Sequence, residues 1–340
     1  MFLRLVNSDY FSITSIFLFT VIINHYFGFI GVNPLDGFIF YHSGNLILNG
    51  QLPFKDYWAT TGPLVDFIQY IIFRINGVNW NSYVFHASLF NFFLSYLIYF
   101  TFKKFKLNNH YCLLYALLTG LIFYPVTGTP SADLHGSFFS VASLLIFILA
   151  INFKNKFYWV VLPIFLILGF LAKQTPISYF GIIITILLLY NFILNKNLSD
   201  IFALVISSAV VTIVICAVFY YNEISYKDFY LQYIKFASSV GQERIVEGGF
   251  LQPFSFSRYF LKFKLIHFSY LILVIIFIKN IIITKRFWGN KDFISILAIV
   301  FSAYCLILHQ LLTLNAKFIY FCIPLLCGFS QIYLKKYFIK

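Results

Sequence analysis

Ten apolar runs, each near the length a bilayer demands, dominate this chain: residues 11–32, 82–102, 109–126, 135–152, 157–172, 176–194, 200–222, 265–279, 293–312 and 317–334. A helix crossing the hydrocarbon needs about 20 consecutive apolar residues, because lipid offers no partner for an open backbone hydrogen bond. Composition agrees with this reading. Hydrophobic residues make up 61% of the 340 and charged residues 10%, with mean hydropathy +0.86. Soluble domains carry roughly 45–50% apolar and about 25% charged residues, so one water-bounded core could not bury this much apolar surface. The runs are long and continuous, unlike the short alternating strands of a β-barrel. The expectation is an all-α polytopic membrane protein, a single integral domain over 1–340 with about ten crossing helices. The run 11–32 has no small-residue cleavage site and is read as an anchor rather than a removed signal peptide.

Charge orients the spans. The net charge is +13, but the basic residues are scattered between apolar runs and build no basic domain, which argues against nucleic acid as a partner. Residues 64–76, "LVDFIQYIIFRIN", are short for a span and carry Asp66, Gln69 and Arg74 within one broad helical arc. They read as a juxtamembrane helix lying along the surface. With that segment not crossing and the N-terminus inside, 14 of the 24 Lys and Arg residues fall in inside segments, including Lys103, Lys104, Lys106, Lys335 and Lys336. That satisfies the positive-inside rule, with both termini cytoplasmic. Eight of the eleven acids fall outside, so residues 33–81, 127–134 and the long loop 223–264 form an external layer. The five cysteines all lie within apolar runs at no metal-binding spacing and read as small buried hydrophobes.

Four places hold polar residues that need a reason. The first is "NPLDGFIFYHSGNLILNGQLPFKDYWATTGPL", residues 33–64, with Asp36, Lys55, Asp56, Tyr57 and Trp58. The second is "TGTPSADLHGSFF" at 127–139, where Asp133 and His135 head a span. Ser131 or Asp133 capping the helix would explain one acid but not the neighbouring histidine. The third is "GFLAKQTP" at 169–176, where Lys173 and Gln174 interrupt two runs. A snorkelling lysine is the alternative to a phosphate-holding one there. The fourth is the turn holding Lys317, after His309 and Gln310, where a boundary lysine is the plainer alternative. His86 and His267 read as packed or interfacial, and the basic stretch Arg258, Lys262 and Lys264 as attracted to anionic lipid headgroups. No HExxH, P-loop, GxGxxG or Ser/His/Asp pattern is present.

Taken in order, these segments resemble the GT-C superfamily of membrane glycosyltransferases, and within it the protein mannosyltransferase and aminoarabinose transferase branch. The likeness runs from about 30 to 325. It rests on Asp36 after the first span, "GQLPFKDYW" at 50–58, Gly62-Pro63 opening the juxtamembrane helix, Asp133, Lys173-Gln174, and "KFIYFCIP" at 317–324. Gly37 follows Asp36 where many relatives carry a second acid, and Thr60 and Thr61 stand where some carry a lysine.

The resemblance implies a GT-C-like bundle with external juxtamembrane helices and a catalytic loop at the outer face of a bacterial inner membrane. It implies transfer of a sugar from a polyprenyl-phosphate donor to a hydroxyl on a glycan, lipid or protein, with inversion. Asp36 would be the general base, with Asp133 and His135 orienting acceptor or base. Lys173, Lys317 and Lys55 would neutralise the leaving phosphate. Asp56 and Gln174 belong to the same binding set, and Tyr41, Tyr57 and Trp58 would stack on sugar. No cofactor is called for, and Asp36, Asp133 and His135 are the one set in view for a divalent metal ion. Two alternatives stay open: a transporter or flippase of lipid-linked glycans, and an inactive relative serving as an assembly subunit. Charges gathered at span ends on one face, rather than at mid-membrane, disfavour transport.

Overall fold

The computed structural model describes residues 9–31, 37–153, 155–248, 255–283, 287–313 and 318–338. Among them the chain is helical throughout, with one isolated bridge between Pro53 and Tyr57 and no strand. The helices, in chain order, are α1 (Asp9–Ile30), α2 (Ile39–Leu48), α3 (Pro63–Asn76), α4 (Trp80–Lys104) and α5 (Asn109–Ile122). There follow α6 (Ala132–Asn152), α7 (Lys156–Ala172), α8 (Ile177–Asn195) and α9 (Leu198–Tyr221). A short helix, Tyr226–Phe229, then runs through a π-turn, Tyr230–Lys235, into α10 (Phe236–Gly248). The chain closes with α11 (Lys264–Ile283), α12 (Lys291–Thr313) and α13 (Cys322–Tyr337).

Seven of these helices are long and apolar enough to cross a membrane: α1, α4, α6, α8, α9, α11 and α12. The protein is therefore an all-helical membrane protein. Three expected spans form shorter helices, α5, α7 and α13, of 14, 17 and 16 residues. At 1.5 Å per residue they reach only about 21–26 Å. Each is cut short at the same end of the bundle: α5 by the turn at Tyr124–Val126, α7 by the break at Lys173 before Pro176, and α13 by the 3₁₀ turn Ile319–Phe321 that precedes it.

Two expectations need correction. Residues 33–64, expected as a loop, contain a helix, since residues 39–48 form α2. The long external loop 223–264 is also largely helical, from Tyr226 to Gly248 and again over Ser257–Leu261. The segment expected as a juxtamembrane helix is helical, as α3. Gly62, at φ +65°, precedes it, and Pro63 supplies a pre-set φ at its first turn. Its polar arc faces inward, however: Asp66 and Gln69 are buried, while Ile71, Arg74 and Ile75 are exposed.

α6 is the central pillar, buried without interruption from Leu134 to Ile151 and packed against α4, α7, α8 and α12. The outer surfaces of α1, α8, α9 and α11 are lined with exposed Leu, Ile, Val and Phe. That inversion of the soluble rule is what a hydrocarbon solvent permits. The helices alternate in direction, so the two ends of the bundle differ. One end carries Lys103 paired with Asp9, and Lys336 at 2.5 Å from Asp292, whose carboxylate also accepts from the Tyr337 hydroxyl at 2.5 Å. The other end gathers α2, α3, the start of α6, the α7–α8 break and the end of α12. A small satellite core of Phe54, Ala59, Ile224 and Tyr233 ties the loop 51–62 to the segment after α9 at that end.

Candidate functional site

Sequence places Asp133 in the first turn of α6, where a carboxylate usually meets backbone N–H groups. Ser131, the N-cap residue, makes no side-chain cap. Asp133 Oδ1 instead accepts from Lys173 Nζ and lies 3.0 Å from His309 Nε2. The Lys173 and Asp133 side chains are 14% and 15% exposed, and His309 is fully enclosed. Its other ring nitrogen, Nδ1, has no hydrogen-bond partner among the described residues. Lys173 reaches the carboxylate because the chain leaves α7 there in an extended conformation, ahead of the cis Thr175–Pro176 bond. Gly136 allows the close approach. A Cβ on it would lie 3.0 Å from Lys173 Cβ and 3.4 Å from the Thr175 carbonyl.

A second polar chain runs beneath the first. His135 Nε2 lies 3.0 Å from His86 Nε2, and His86 Nδ1 lies 2.8 Å from Gln69 Oε1. At the far side, His135 Nδ1 lies 2.5 Å from the Tyr124 hydroxyl and 3.0 Å from the Ser131 carbonyl. With Tyr124 donating to His135 Nδ1, His135 can donate to His86 and His86 to the Gln69 carbonyl, an order that leaves the Ser131 carbonyl beside Nδ1 without a proton from that ring. The chain thereby stitches α3 to α4, α6 and the turn after α5, with Phe90 packed on the His135 ring at 4.2 Å. His86, read from sequence as a packed or interfacial residue, is thus a link between α3 and the helix bearing Asp133. Its position as the fifth residue of an apolar run conceals that role.

The third element is Asp66. Its carboxylate accepts from Ser43 Oγ of α2 and, at 3.0 Å, from the Tyr57 hydroxyl. It is 2% exposed, and burial pushes its pKa up to about 7 although both hydroxyl bonds favour the charged form. The same burial, with the carboxylate beside it, raises the Tyr57 phenol well above its ordinary value.

The other residues singled out from sequence serve the loop 51–62. Lys55 is not free for a phosphate: it pairs with Glu223 at 2.9 Å and donates to the Asn222 carbonyl. That lysine holds the Glu223 carboxyl below its usual range. Asp56 turns back on the Leu52 N–H at 2.8 Å. Gln174 donates to the carbonyls of Thr60 and Tyr233, at 2.9 and 2.7 Å, while Gln232 accepts from the Ala59 N–H at 3.0 Å. Trp58 is exposed and edge-on to Phe236. Tyr41 is packed among Phe73, Trp80 and Tyr83 rather than open to a sugar.

Asp36 and Lys317 lie outside the described residues. The metal set of Asp36, Asp133 and His135 is not assembled among those described, since Asp133 faces Lys173 and His309 while His135 faces His86 and Tyr124. No group of three or more His, Cys, Asp or Glu that could hold a metal ion occurs among the described residues.

The site thus brings together Asp133, Lys173 and His309, with His135, His86 and Gln69 beneath and Asp66 with Tyr57 and Ser43 alongside. Gly62 marks the junction, for a Cβ there would lie 3.4 Å from the Ala172 carbonyl, one residue before Lys173. Compared with known proteins, the chain matches no family model, and no curated protein or solved structure matches it either.

Proposed function

We propose that the protein is a GT-C-like glycosyltransferase that moves a sugar from a polyprenyl-phosphate donor onto an acceptor hydroxyl at the outer face of a bacterial inner membrane. The observation that carries the reading is the convergence of a buried Asp–Lys–His cluster and a second buried carboxyl at one end of an apolar bundle, with the lysine-rich ends opposite. A donor with an isoprenoid tail and an anionic headgroup needs that pairing, lipid around the bundle and polar chemistry at its rim. In this reading α5, α7 and α13 also cross, completing ten spans, and both termini are cytoplasmic. Their shortness leaves room at the outer rim for the headgroup.

Lys173 is the cation nearest the reacting end that a lipid phosphate could meet, and Asp133 with His309 holds it in place. Phosphate charge developing as the glycosidic bond breaks would draw Lys173 from its carboxylate, an interaction strengthened in the transition state. His135 and His86 fix the start of α6, and so the position of Asp133, against α3. Asp36, by its place just after the first span, belongs to the same outer rim.

The test is direct transfer. Purified protein with radiolabelled polyprenyl-phosphate sugars and an envelope lipid or glycan acceptor should pass label to the acceptor. Lys173→Met and Asp133→Asn should each lower the rate on the order of 10²–10³-fold, the range for removing one transition-state electrostatic contact. Asp36→Asn should likewise stop transfer while leaving the protein folded. Full transfer by Lys173→Met would sink the role given to this cluster.

A further inference from the structure

We propose that Asp66 is the proton acceptor of this site, reached through the Tyr57 hydroxyl, so that the acceptor's proton leaves along a Tyr57–Asp66 relay. The inference rests on the sugar-transfer reading above and gives the proton-accepting role to Asp66 in place of Asp36, which the motif resemblance implies as the base. Three structural observations carry it.

First, the carboxylate is already wired. Tyr57 Oη donates to Asp66 Oδ2 at 3.0 Å, and Ser43 Oγ holds Oδ1. Tyr57 is half-buried and sits between the exposed Asp56 and Trp58, while its hydroxyl reaches the enclosed carboxyl. Second, Asp66 has no cation to neutralise among the described residues. The groups facing it are Ser43 from α2, Tyr57 from the loop, and Tyr233 from the π-turn, whose own hydroxyl donates to the Phe170 carbonyl at 2.5 Å. Third, the competing carboxylate is engaged. Asp133 could take a proton only by giving up its pairs with Lys173 and His309. A desolvated carboxyl without a counter-cation gains by taking a proton, and one titrating near neutrality suits a general base at neutral pH.

The step balances. The acceptor O–H bond breaks as its oxygen bonds the anomeric carbon. The carbon–oxygen bond to phosphate breaks, and its electron pair leaves on the lipid phosphate. The acceptor's proton passes to Tyr57 oxygen while the phenol's own proton passes to Asp66 Oδ2. After product departs, the protonated carboxyl returns its proton to water by the same hydroxyl.

The test uses the full chain in detergent with a radiolabelled polyprenyl monophosphate hexose and the envelope lipid or glycan acceptor of the transfer assay, read as release of polyprenyl phosphate. Wild-type kcat should fall below about pH 7 as the base becomes protonated. Tyr57→Phe should lower kcat about 10²–10⁴-fold with donor KM unchanged, the range for losing acid–base catalysis. Asp66→Asn should do the same and remove the acid limb. Infrared difference spectra, independent of turnover, should show a protonated-carboxyl band titrating near neutral pH in the wild type and absent from Asp66→Asn. If Asp66→Asn does not fold, Tyr57→Phe, which keeps ring and carboxyl, carries the test alone. Tyr57→Phe with wild-type kcat and an intact acid limb overturns the relay but leaves the transferase reading standing. No release by the wild-type protein overturns both.

Discussion

Lys173→Met is the sharpest perturbation of this molecule, because it leaves the Asp133 carboxylate without its cation in a nearly closed site. Both side chains of the pair are about 15% exposed or less, so solvent screens them weakly. Removing one partner of a buried pair typically costs about 3–5 kcal/mol, mostly from the charge left behind. His309, 3.0 Å from the same oxygen, stays as a hydrogen-bond partner of the carboxylate, which places the expected loss near the lower bound, about 3 kcal/mol. At roughly 2 °C per kcal/mol for a chain of this size, the melting temperature should drop about 6 °C. The assay is thermal unfolding in one detergent at pH 7 of the wild type, Lys173→Met, Asp133→Asn and the double variant. Removing both charges together should restore most of the loss, giving a coupling of about 2 kcal/mol or more. A single variant melting with the wild type, or a double variant whose loss is the plain sum of the singles, would refute the reasoning.

Further outcomes follow from other contacts. Asp66 has a folded pKa raised to about 7, so the folded protein holds a proton there that the unfolded chain releases near its ordinary value of 3.8. Its favourable contribution is complete below about pH 4 and is lost as pH rises towards 7, at about 1.4 kcal/mol per unit. Melting temperatures of Asp66→Asn should lack that slope. His86→Ala breaks the buried line joining α3 to α6, and should destabilise the protein by about 2–3 kcal/mol, through the cavity and the stranded Gln69 and His135. A melt within experimental error of the wild type would contradict it. Glu223→Gln, at an exposed pair with Lys55, should leave thermal stability unchanged while raising the protease sensitivity of the loop 51–62. Trp58→Cys in intact cells should react with a membrane-impermeant maleimide, whereas Lys104→Cys should react only after permeabilisation. The reverse pattern would invert the proposed orientation.

What residue order determines by itself here is the solvent and the approximate position of the long helices. A run of about 20 apolar residues has one way to satisfy its backbone in hydrocarbon, so α1, α4, α6, α8, α9, α11 and α12 are legible without a fold. The helical arc of Asp66, Gln69 and Arg74 likewise marks α3. Which way that arc faces is not legible, because an amphipathic helix at an interface can turn its polar side to water or to a polar interior. Only packing against His86, Ser43 and Tyr57 decides it. Asp133 and Lys173 stand out in sequence as charges breaking apolar runs, but 40 residues separate them, and their pairing arises where α6 starts beside the end of α7. His309 joins them across 176 residues, a contact no local pattern announces. The histidine line is the furthest from sequence, since His86 and His135 look like ordinary residues near helix starts until tertiary contact brings their rings together. Charge and apolar length act locally and can be read along the chain; the geometry of the candidate site depends on which helix ends meet, and only the packed bundle decides that.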